Sequence, residues 1–145
     1  MTIKGISSMA TRQVLAELTQ AFTQQSGIAV DMVSLGGVDA AKRVQAGEAF
    51  DVVILGSDAI DKLIASGHAH AGSRVDLVRS GVAVAVRKGA SLPDISSEEA
   101  VKQAVLAAPS ISYSTGPSGV ALAKLFEKWG IAQQIQSRMV QAPPG

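Results

Sequence analysis

The chain has 145 residues, of which 47% are hydrophobic, and it carries a formal net charge of +1. This composition supports a folded core and argues against disorder. The near-neutral charge, together with one Trp, one Tyr and three Phe, excludes the basic patch and the aromatic platform that nucleic-acid binding uses. The absence of cysteine excludes disulfides and thiolate metal sites.

The first residues, "MTIKGISSMATRQ", lack the apolar core and the small-residue cleavage site of a secretion signal. Two explanations stay open: a leader has been removed, or the protein remains in the cytoplasm. The longest apolar runs, such as "GVAVAV", are too short to cross a bilayer. We therefore expect a soluble protein.

The first half of the chain alternates predicted strands with predicted helices. Segments that are rich in β-branched residues and bounded by turn residues predict strands at 3–6, 28–35 and 50–55. Apolar residues at helical spacing predict a helix after each of these strands. The helices are marked by Val14, Leu15, Leu18, Ala21 and Phe22 before Gly27, by residues 38–47, and by Ile60, Leu63 and Ile64 before Gly67.

The second half opens on an apolar segment that is long for a single strand. Residues 75–86 predict one extended strand, or two strands that meet at Ser80 and Gly81, and therefore a crossing between lobes. Ser96 followed by Glu99 fits a capping box and predicts the start of a helix. The later elements are a strand at 110–114, a helix with Leu122, Leu125, Phe126 and Trp129 on one side, and a weaker strand at 138–142.

The alternation of strand and helix is typical of right-handed βαβ units and a mainly parallel sheet. The segments "DVVIL" and "GVAVAV" are continuously apolar, as expected of strands that are covered on both faces. We therefore predict an α/β fold with two parallel-sheet lobes, the first over residues 1–79 and the second over residues 80–145.

Three turns place small or hydroxylated residues directly before a helix: "ISSMATR" (6–12), "LGGVDAA" (35–41) and "STGPSGV" (114–120). In open α/β sheets, ligands lie beyond the carboxyl ends of the strands, where helix N-termini offer free N–H groups and a partial positive charge. These turns therefore favour an oxyanion. Two simpler interpretations stay open: the turns are ordinary helix caps, and Arg12, in the first turn of its helix, is a solvated surface residue.

Several catalytic patterns are absent from the sequence. Ser118 is not a nucleophile elbow, because Val120 stands where glycine is needed. No glycine-rich loop leads into Gly-Lys-Ser or Gly-Lys-Thr, so there is no P-loop. His68 and His70 have no evident third ligand, and we expect loop histidines rather than a metal site.

The three turns and the segments around them resemble the periplasmic molybdate-binding proteins, which have the type II periplasmic-binding fold. The resemblance covers residues 3–142. It is carried by "ISSMATRQVLAELTQAF", by "RVQAGEAFDVVIL" followed by "SDAIDKL", by "RSGVAVAVRKG" and by "GPSGVALAKLFEKWG". It implies a periplasmic receptor that binds a small oxyanion between two lobes and delivers it to the membrane subunits of an ABC importer.

The resemblance also assigns roles to individual positions. Ser8 matches the family's anion-contacting serine, and Gly116 matches the residue that donates a backbone amide. The family's serine-rich second turn is replaced here by Gly36, Gly37 and Val38, which leaves only backbone donors and more room. The family's later tyrosine has no counterpart. These departures suit a bulkier oxyanion or an organic acid.

Relatives of this type continue past the position where this sequence stops. We therefore predict a truncated chain with uncovered strand edges and apolar surface, for which self-association is one means of compensation. We expect a binding protein rather than an enzyme, with no cofactor and no metal. Two alternatives stay open: a cytoplasmic ligand-sensing domain of the same fold, and an enzyme that acts on a small carboxylate. The predicted ligand contacts are Ser7, Ser8, Arg12, Gly36, Gly37, Ser114, Thr115, Gly116 and Ser118.

Overall fold

The computed structural model describes residues 1–142. They fall into two compact units, Met1–Val78 and a second unit that begins at Arg79. The elements of the first unit are β1 (Thr2–Ser8), a 3-10 turn (Met9–Thr11), α1 (Arg12–Ser26), β2 (Ala29–Leu35), α2 (Gly37–Gln45), β3 (Val52–Ile54) and α3 (Ser57–Ala65). Those of the second unit are α4 (Glu98–Ala107), β4 (Ile111–Ser114), α5 (Pro117–Lys128), α6 (Ala132–Ile135), a 3-10 turn (Gln136–Arg138) and β5 (Met139–Ala142).

The first unit is built on a three-stranded parallel sheet with the order β2-β1-β3. Parallel neighbours need a crossover, and the helices α1 and α2 supply it. Ile6 on the central strand pairs with Val33 and Val53, so these three side chains share one face of the sheet. Ile6 is fully buried there and packs with residues of α2 and α3, namely Ala40, Val44 and Leu63.

Glycines end and begin the helices of this unit for identifiable reasons. Gly27 closes α1 at φ 72°, in the left-handed region that L side chains rarely adopt. Gly36 and Gly56, at the N-caps of α2 and α3, have ordinary negative φ values. The backbone conformation at these two positions therefore does not require glycine, and what glycine contributes there is the absence of a side chain.

The second unit contains a two-stranded parallel sheet, β4 with β5, in the register Ile111↔Met139. Its core consists of Phe126, Ile131 and Ile135. The ring of Phe126 lies 6.0 Å from that of Trp129, in a tilted arrangement. The parallel sheets and the mixed α/β architecture confirm the predicted fold class.

Two side chains tie α4 into this unit. The Arg138 Nη1 donates to the carbonyls of Leu106 (2.9 Å) and Ala108 (2.5 Å), which satisfies carbonyls at the C-terminus of α4. At the other end of the helix, the Trp129 indole N–H donates to Glu98 Oε1 at 2.6 Å. Both contacts join residues about 30 positions apart. They therefore stabilise the packing of α4 against distant parts of the chain and not the helix by itself.

Two sequence predictions are wrong in detail. Residues 75–86 form no strand, although their apolar side chains suit one; a strand needs a partner edge, and no described residue pairs with this segment. The N-cap of α4 is Ser97 rather than Ser96: the Ser97 hydroxyl accepts the Ala100 N–H at 3.1 Å. Ser96 instead donates its backbone N–H to Asp94.

The predicted uncovered strand edge and apolar surface are both present among residues 1–142. Within these residues β3 pairs only with β1, and Val52 on that strand is exposed. Leu18 and Phe22 of α1 and much of the segment 75–86 also expose apolar side chains. Across the described residues, no helix has both the length and the apolar character that crossing a membrane requires.

The contact between Glu98 and Trp129 predicts a pH effect. The indole hydrogen bond, aided by the Lys128 charge, lowers the pKa of the Glu98 carboxyl from its ordinary value of about 4.5. Because the folded-state pKa is depressed, the stabilisation is complete above the unfolded pKa and is lost as the pH falls through the folded one. Trp129 is the single tryptophan, so its fluorescence should titrate with a midpoint below 4.5.

The matched variants are Glu98→Gln and Glu99→Gln. Glu98→Gln keeps an acceptor but cannot ionise, so the acid transition in the fluorescence should disappear. Glu99 accepts from Gln103 instead of the indole, so Glu99→Gln should leave the transition unchanged. A transition that persists in Glu98→Gln would show that another group reports on Trp129.

Candidate functional site

The carboxyl edge of the first sheet brings three helix starts together. The strands β2, β1 and β3 run parallel and end at Leu35, Ser8 and Ile54. The helices α2, α1 and α3 follow these ends after short turns. Helix N-termini carry unsatisfied N–H donors and a partial positive charge. The edge can therefore hold an anion with backbone groups.

Ser8 lies at the centre of this edge, beside the start of α2. A Cβ added at Gly37 would stand 3.7 Å from the Ser8 Cβ, which is ordinary van der Waals contact. Ser8 is extended (φ −72°, ψ 157°) and its side chain does not cap the turn that follows. Among the described residues its hydroxyl has no hydrogen-bond partner, and it is half-buried. The structure therefore brings Ser8 and Gly37 together and leaves a hydroxyl available there.

Ser7, in contrast, has no surface in contact with solvent. Its Oγ lies 2.8 Å from the Ser34 Oγ on the neighbouring strand. The Ser7 hydroxyl also donates to the Ser8 carbonyl at 3.2 Å, as does the Thr11 hydroxyl. The predicted contact between Ser7 and a ligand stays a prediction. Sequence reasoning missed Ser34, whose contact depends on strand register, and Thr11, whose contact lies within the turn itself.

The third turn at this edge, which contains Gly56, was also missed. Gly56 caps α3 with φ −58° and ψ 145°, nearly the same conformation as Gly36 at the start of α2 (φ −54°, ψ 135°). In both turns a Leu-Gly pair stands where the strand ends, as "LGG" at 35–37 and "LGS" at 55–57. That repeated pair is the signal from which the third turn could have been found.

Arg12 supplies a formal positive charge beside the edge. It is the first residue of α1 and is exposed, and together with Met9 and Gln13 it lines a shallow hollow. No carboxylate within residues 1–142 forms an ion pair with it. A guanidinium in this position can bind a carboxylate through two parallel hydrogen bonds.

The other four predicted contacts lie in the second unit. Ser114 ends β4, Gly116 is the N-cap of α5, and Pro117 is the first helical residue. The Ser114 and Ser118 hydroxyls lie 3.1 Å apart, and Thr115 is exposed between them in sequence. The structure therefore brings Ser114, Gly116 and Ser118 together in one turn. The prediction that one ligand contacts both groups of residues stays a prediction.

Comparison with known proteins gives the family. Residues 3–145 match the model of the bacterial extracellular solute-binding proteins, and the chain belongs to that family. Its fold is similar to that of the periplasmic molybdate-binding protein of Azotobacter vinelandii, with a TM-score of 0.67 and 22% identity over 97% of this chain and 62% of that protein. This likeness confirms the predicted molybdate-binding-like fold family.

A curated relative changes the functional expectation. Aconitate isomerase from a Pseudomonas species is 36% identical over 99% of this chain and 58% of its own length. The chain thus spans about three fifths of the relatives that it matches. The expectation that the protein is not an enzyme is wrong, because this relative carries an enzyme name. Sequence reasoning failed there because a binding protein and an enzyme can have the same fold.

The turn of the second unit generates a test of its packing. A Cβ added at Gly119 would stand 1.7 Å from the Ser114 carbonyl oxygen and 3.0 Å from Tyr113 Cδ2. Since the first of these atoms is backbone, α5 would have to move away from β4. Gly119→Ala should therefore lower the free energy of unfolding by roughly 1–3 kcal/mol, as measured by urea denaturation.

Gly81→Ala is the control for this substitution. Gly81 has no heavy atom within 4 Å of its ideal Cβ, so the change should stay within about 0.5 kcal/mol. Equal stability of the two variants would contradict the close approach of α5 to β4.

Proposed function

We propose that this chain forms the anion-binding part of an isomerase that acts on a small polycarboxylate of the aconitate class. The observation that carries the proposal is the 36% identity to aconitate isomerase across 99% of the chain. The edge around Ser8 and Gly37 supports it, because backbone N–H groups and one hydroxyl suit a carboxylate as well as a metal oxyanion.

The composition of the turns favours an organic acid over molybdate. Gly36 and Gly37 present no side chain at the second turn, so the space that hydroxyl side chains would fill is open to a larger ligand. Aconitate carries three carboxylates, and a ligand with several separated charges can use both the turn and a more distant cation. Arg12 is the cation that lies next to this edge.

The same donors suit the chemistry of an isomerase. One route for such an isomerisation transfers a proton from the carbon next to the double bond to a general base and returns it to another carbon, and negative charge builds on the oxygens of the adjoining carboxylate in between. Preorganised N–H donors at the place where charge develops stabilise such a state more than they stabilise the substrate. In this proposal Ser8 and the N-terminus of α2 hold the carboxylate on which the charge builds.

The second candidate is a solute receptor that delivers a small anion to an ABC importer. The match of residues 3–145 to the bacterial extracellular solute-binding family favours it. A periplasmic location belongs to this candidate, as does a membrane-subunit partner. The two candidates share the anion site and differ in whether the bound acid is converted.

The deciding experiment follows aconitate with the full-length protein by proton NMR in D2O. Interconversion of cis- and trans-aconitate, with deuterium entering the carbon skeleton, is the expected result. Thermal unfolding with cis-aconitate, trans-aconitate, citrate, molybdate and sulfate then ranks the ligands. A ligand at a hundredfold excess over its Kd adds about 2.7 kcal/mol, which corresponds to a Tm rise of roughly 5–10 °C for a chain of this size.

Each outcome separates the candidates. Turnover of aconitate supports the isomerase. A Tm rise with aconitate or molybdate but no turnover supports the receptor instead. No turnover and no Tm rise with any of the anions would refute both.

Ser8→Ala tests the central hydroxyl. Loss of one hydrogen bond to a charged ligand should raise the Kd for aconitate roughly 10- to 100-fold, as measured by titration calorimetry. Ser112→Ala is the matched control, because Ser112 is an exposed strand serine on β4 whose loss should change nothing. Equal affinity of the two variants would remove Ser8 from the site.

Two substitutions test Arg12: one removes its positive charge and the other keeps it. Arg12→Gln removes the cation and should weaken aconitate binding and reduce its dependence on salt. Arg12→Lys keeps the charge but loses the two-pronged geometry, so its Kd should fall between those of the wild type and Arg12→Gln. A Kd that is unaffected by either change would make Arg12 a solvated surface residue.

A further inference from the structure

The buried hydroxyl pair behind the candidate site has no role in the functional proposal so far. Ser7 is the one polar side chain that is fully buried within residues 1–142. Its Oγ lies 2.8 Å from the Ser34 Oγ, and the two residues are direct partners in the β1–β2 register. A buried hydroxyl needs a partner to offset its lost hydration. Ser34 is that partner.

The hydroxyl pair is connected to one backbone carbonyl. The Ser7 Oγ lies 2.8 Å from the Ser34 Oγ, a contact in which either hydroxyl can donate. The Ser7 hydroxyl also lies 3.2 Å from the Ser8 carbonyl oxygen, to which it can donate. Thr11 donates to the same Ser8 carbonyl from the other side of the turn, at 3.2 Å. The chain of hydroxyls therefore runs from β2 through β1 and ends on one peptide group.

That peptide group joins Ser8 to Met9, where the strand gives way to the 3-10 turn. In a planar trans peptide the C=O and the N–H point in opposite directions. Two hydroxyls hold the Ser8 carbonyl, so the Met9 N–H must point away from them. This arrangement keeps the partly negative Ser8 carbonyl oxygen, which would repel an anion, on the opposite side of the peptide from the Met9 N–H.

We infer that Ser34 and Ser7 are positioning residues: they orient the Ser8–Met9 peptide so that its N–H, beside the Ser8 hydroxyl, is presented to the carboxylate. This inference rests on the proposed function, since it concerns the same turn. It gives Ser7 an indirect role in place of the predicted direct contact. It also assigns a role in ligand recognition to Ser34 and Thr11.

The test compares Ser34→Ala with Ser34→Thr in the full-length protein, with trans-aconitate as the titrated ligand. Ser34→Ala leaves the buried Ser7 hydroxyl without its side-chain partner and should raise the Kd, and the KM where turnover occurs, about 3- to 10-fold, the effect of one neutral hydrogen bond. Ser34→Thr keeps the hydroxyl and should restore the wild-type Kd. The Met9 amide should exchange with solvent faster in Ser34→Ala than in Ser34→Thr.

Thr11→Val adds an independent variant, because it removes the second donor to the same carbonyl at nearly constant shape. It should weaken binding to a similar extent, and Ser34→Ala/Thr11→Val should weaken it by a factor different from the product of the two single effects, since both act on one group. If Ser34→Ala does not fold, Thr11→Val still tests the orientation of the peptide.

Three results would overturn the inference. Wild-type Kd in both Ser34→Ala and Thr11→Val would show that the peptide needs no such support. Weakened binding in Ser34→Ala that Ser34→Thr does not restore would show a packing effect. A wild-type protein that binds no carboxylate would refute the proposed function, and this inference with it, whereas normal wild-type binding with unaffected variants would refute the inference alone.

Discussion

The parallel pairing of β1 with both β2 and β3 is the constraint on which the rest of the first unit depends. Because the three strands run in one direction, their carboxyl ends, and therefore the starts of three helices, lie along one edge. Burial of Ile6 against α2 and α3 fixes which face those helices cover. A change of register by one residue would turn Ile6 outward and carry Ser8 away from Gly37.

This constraint also positions the groups of the anion site that we propose, which carries little formal charge. The edge offers backbone donors at Gly36 and Gly37, a hydroxyl at Ser8 and one guanidinium at Arg12. The hydroxyls behind it connect two strands to one peptide of the turn. The proposed ligand needs space at this edge, and small residues leave that space where bulky side chains would fill it.

Family and activity are separate conclusions for this protein. The family comes from the match of residues 3–145 to the family model, and the molybdate-binding-like fold comes from the arrangement of strands and helices. The enzyme name of the Pseudomonas relative concerns what happens to a ligand after it binds. A fold of this kind can serve a receptor or an enzyme, because function depends on the residues of the site and not on the fold. The expectation of a non-enzyme failed for that reason.

The sequence by itself determined the order of most elements and the residues that end them. Local signals sufficed there: β-branched runs for β1 and β2, an apolar helical stripe before Gly27, and Pro117 at the start of α5. The sequence also located the turns that hold Ser8, Gly37 and Gly116, because hydroxyls and glycines before a helix are local features.

Only the tertiary structure decided which residues contact each other. The Ser7–Ser34 contact, the approach of Gly119 to Ser114 and the bond between Trp129 and Glu98 all join residues brought together by register or packing. Segment 75–86 depends on tertiary structure as well: its side chains favour a strand, but it forms none because no described residue pairs with it.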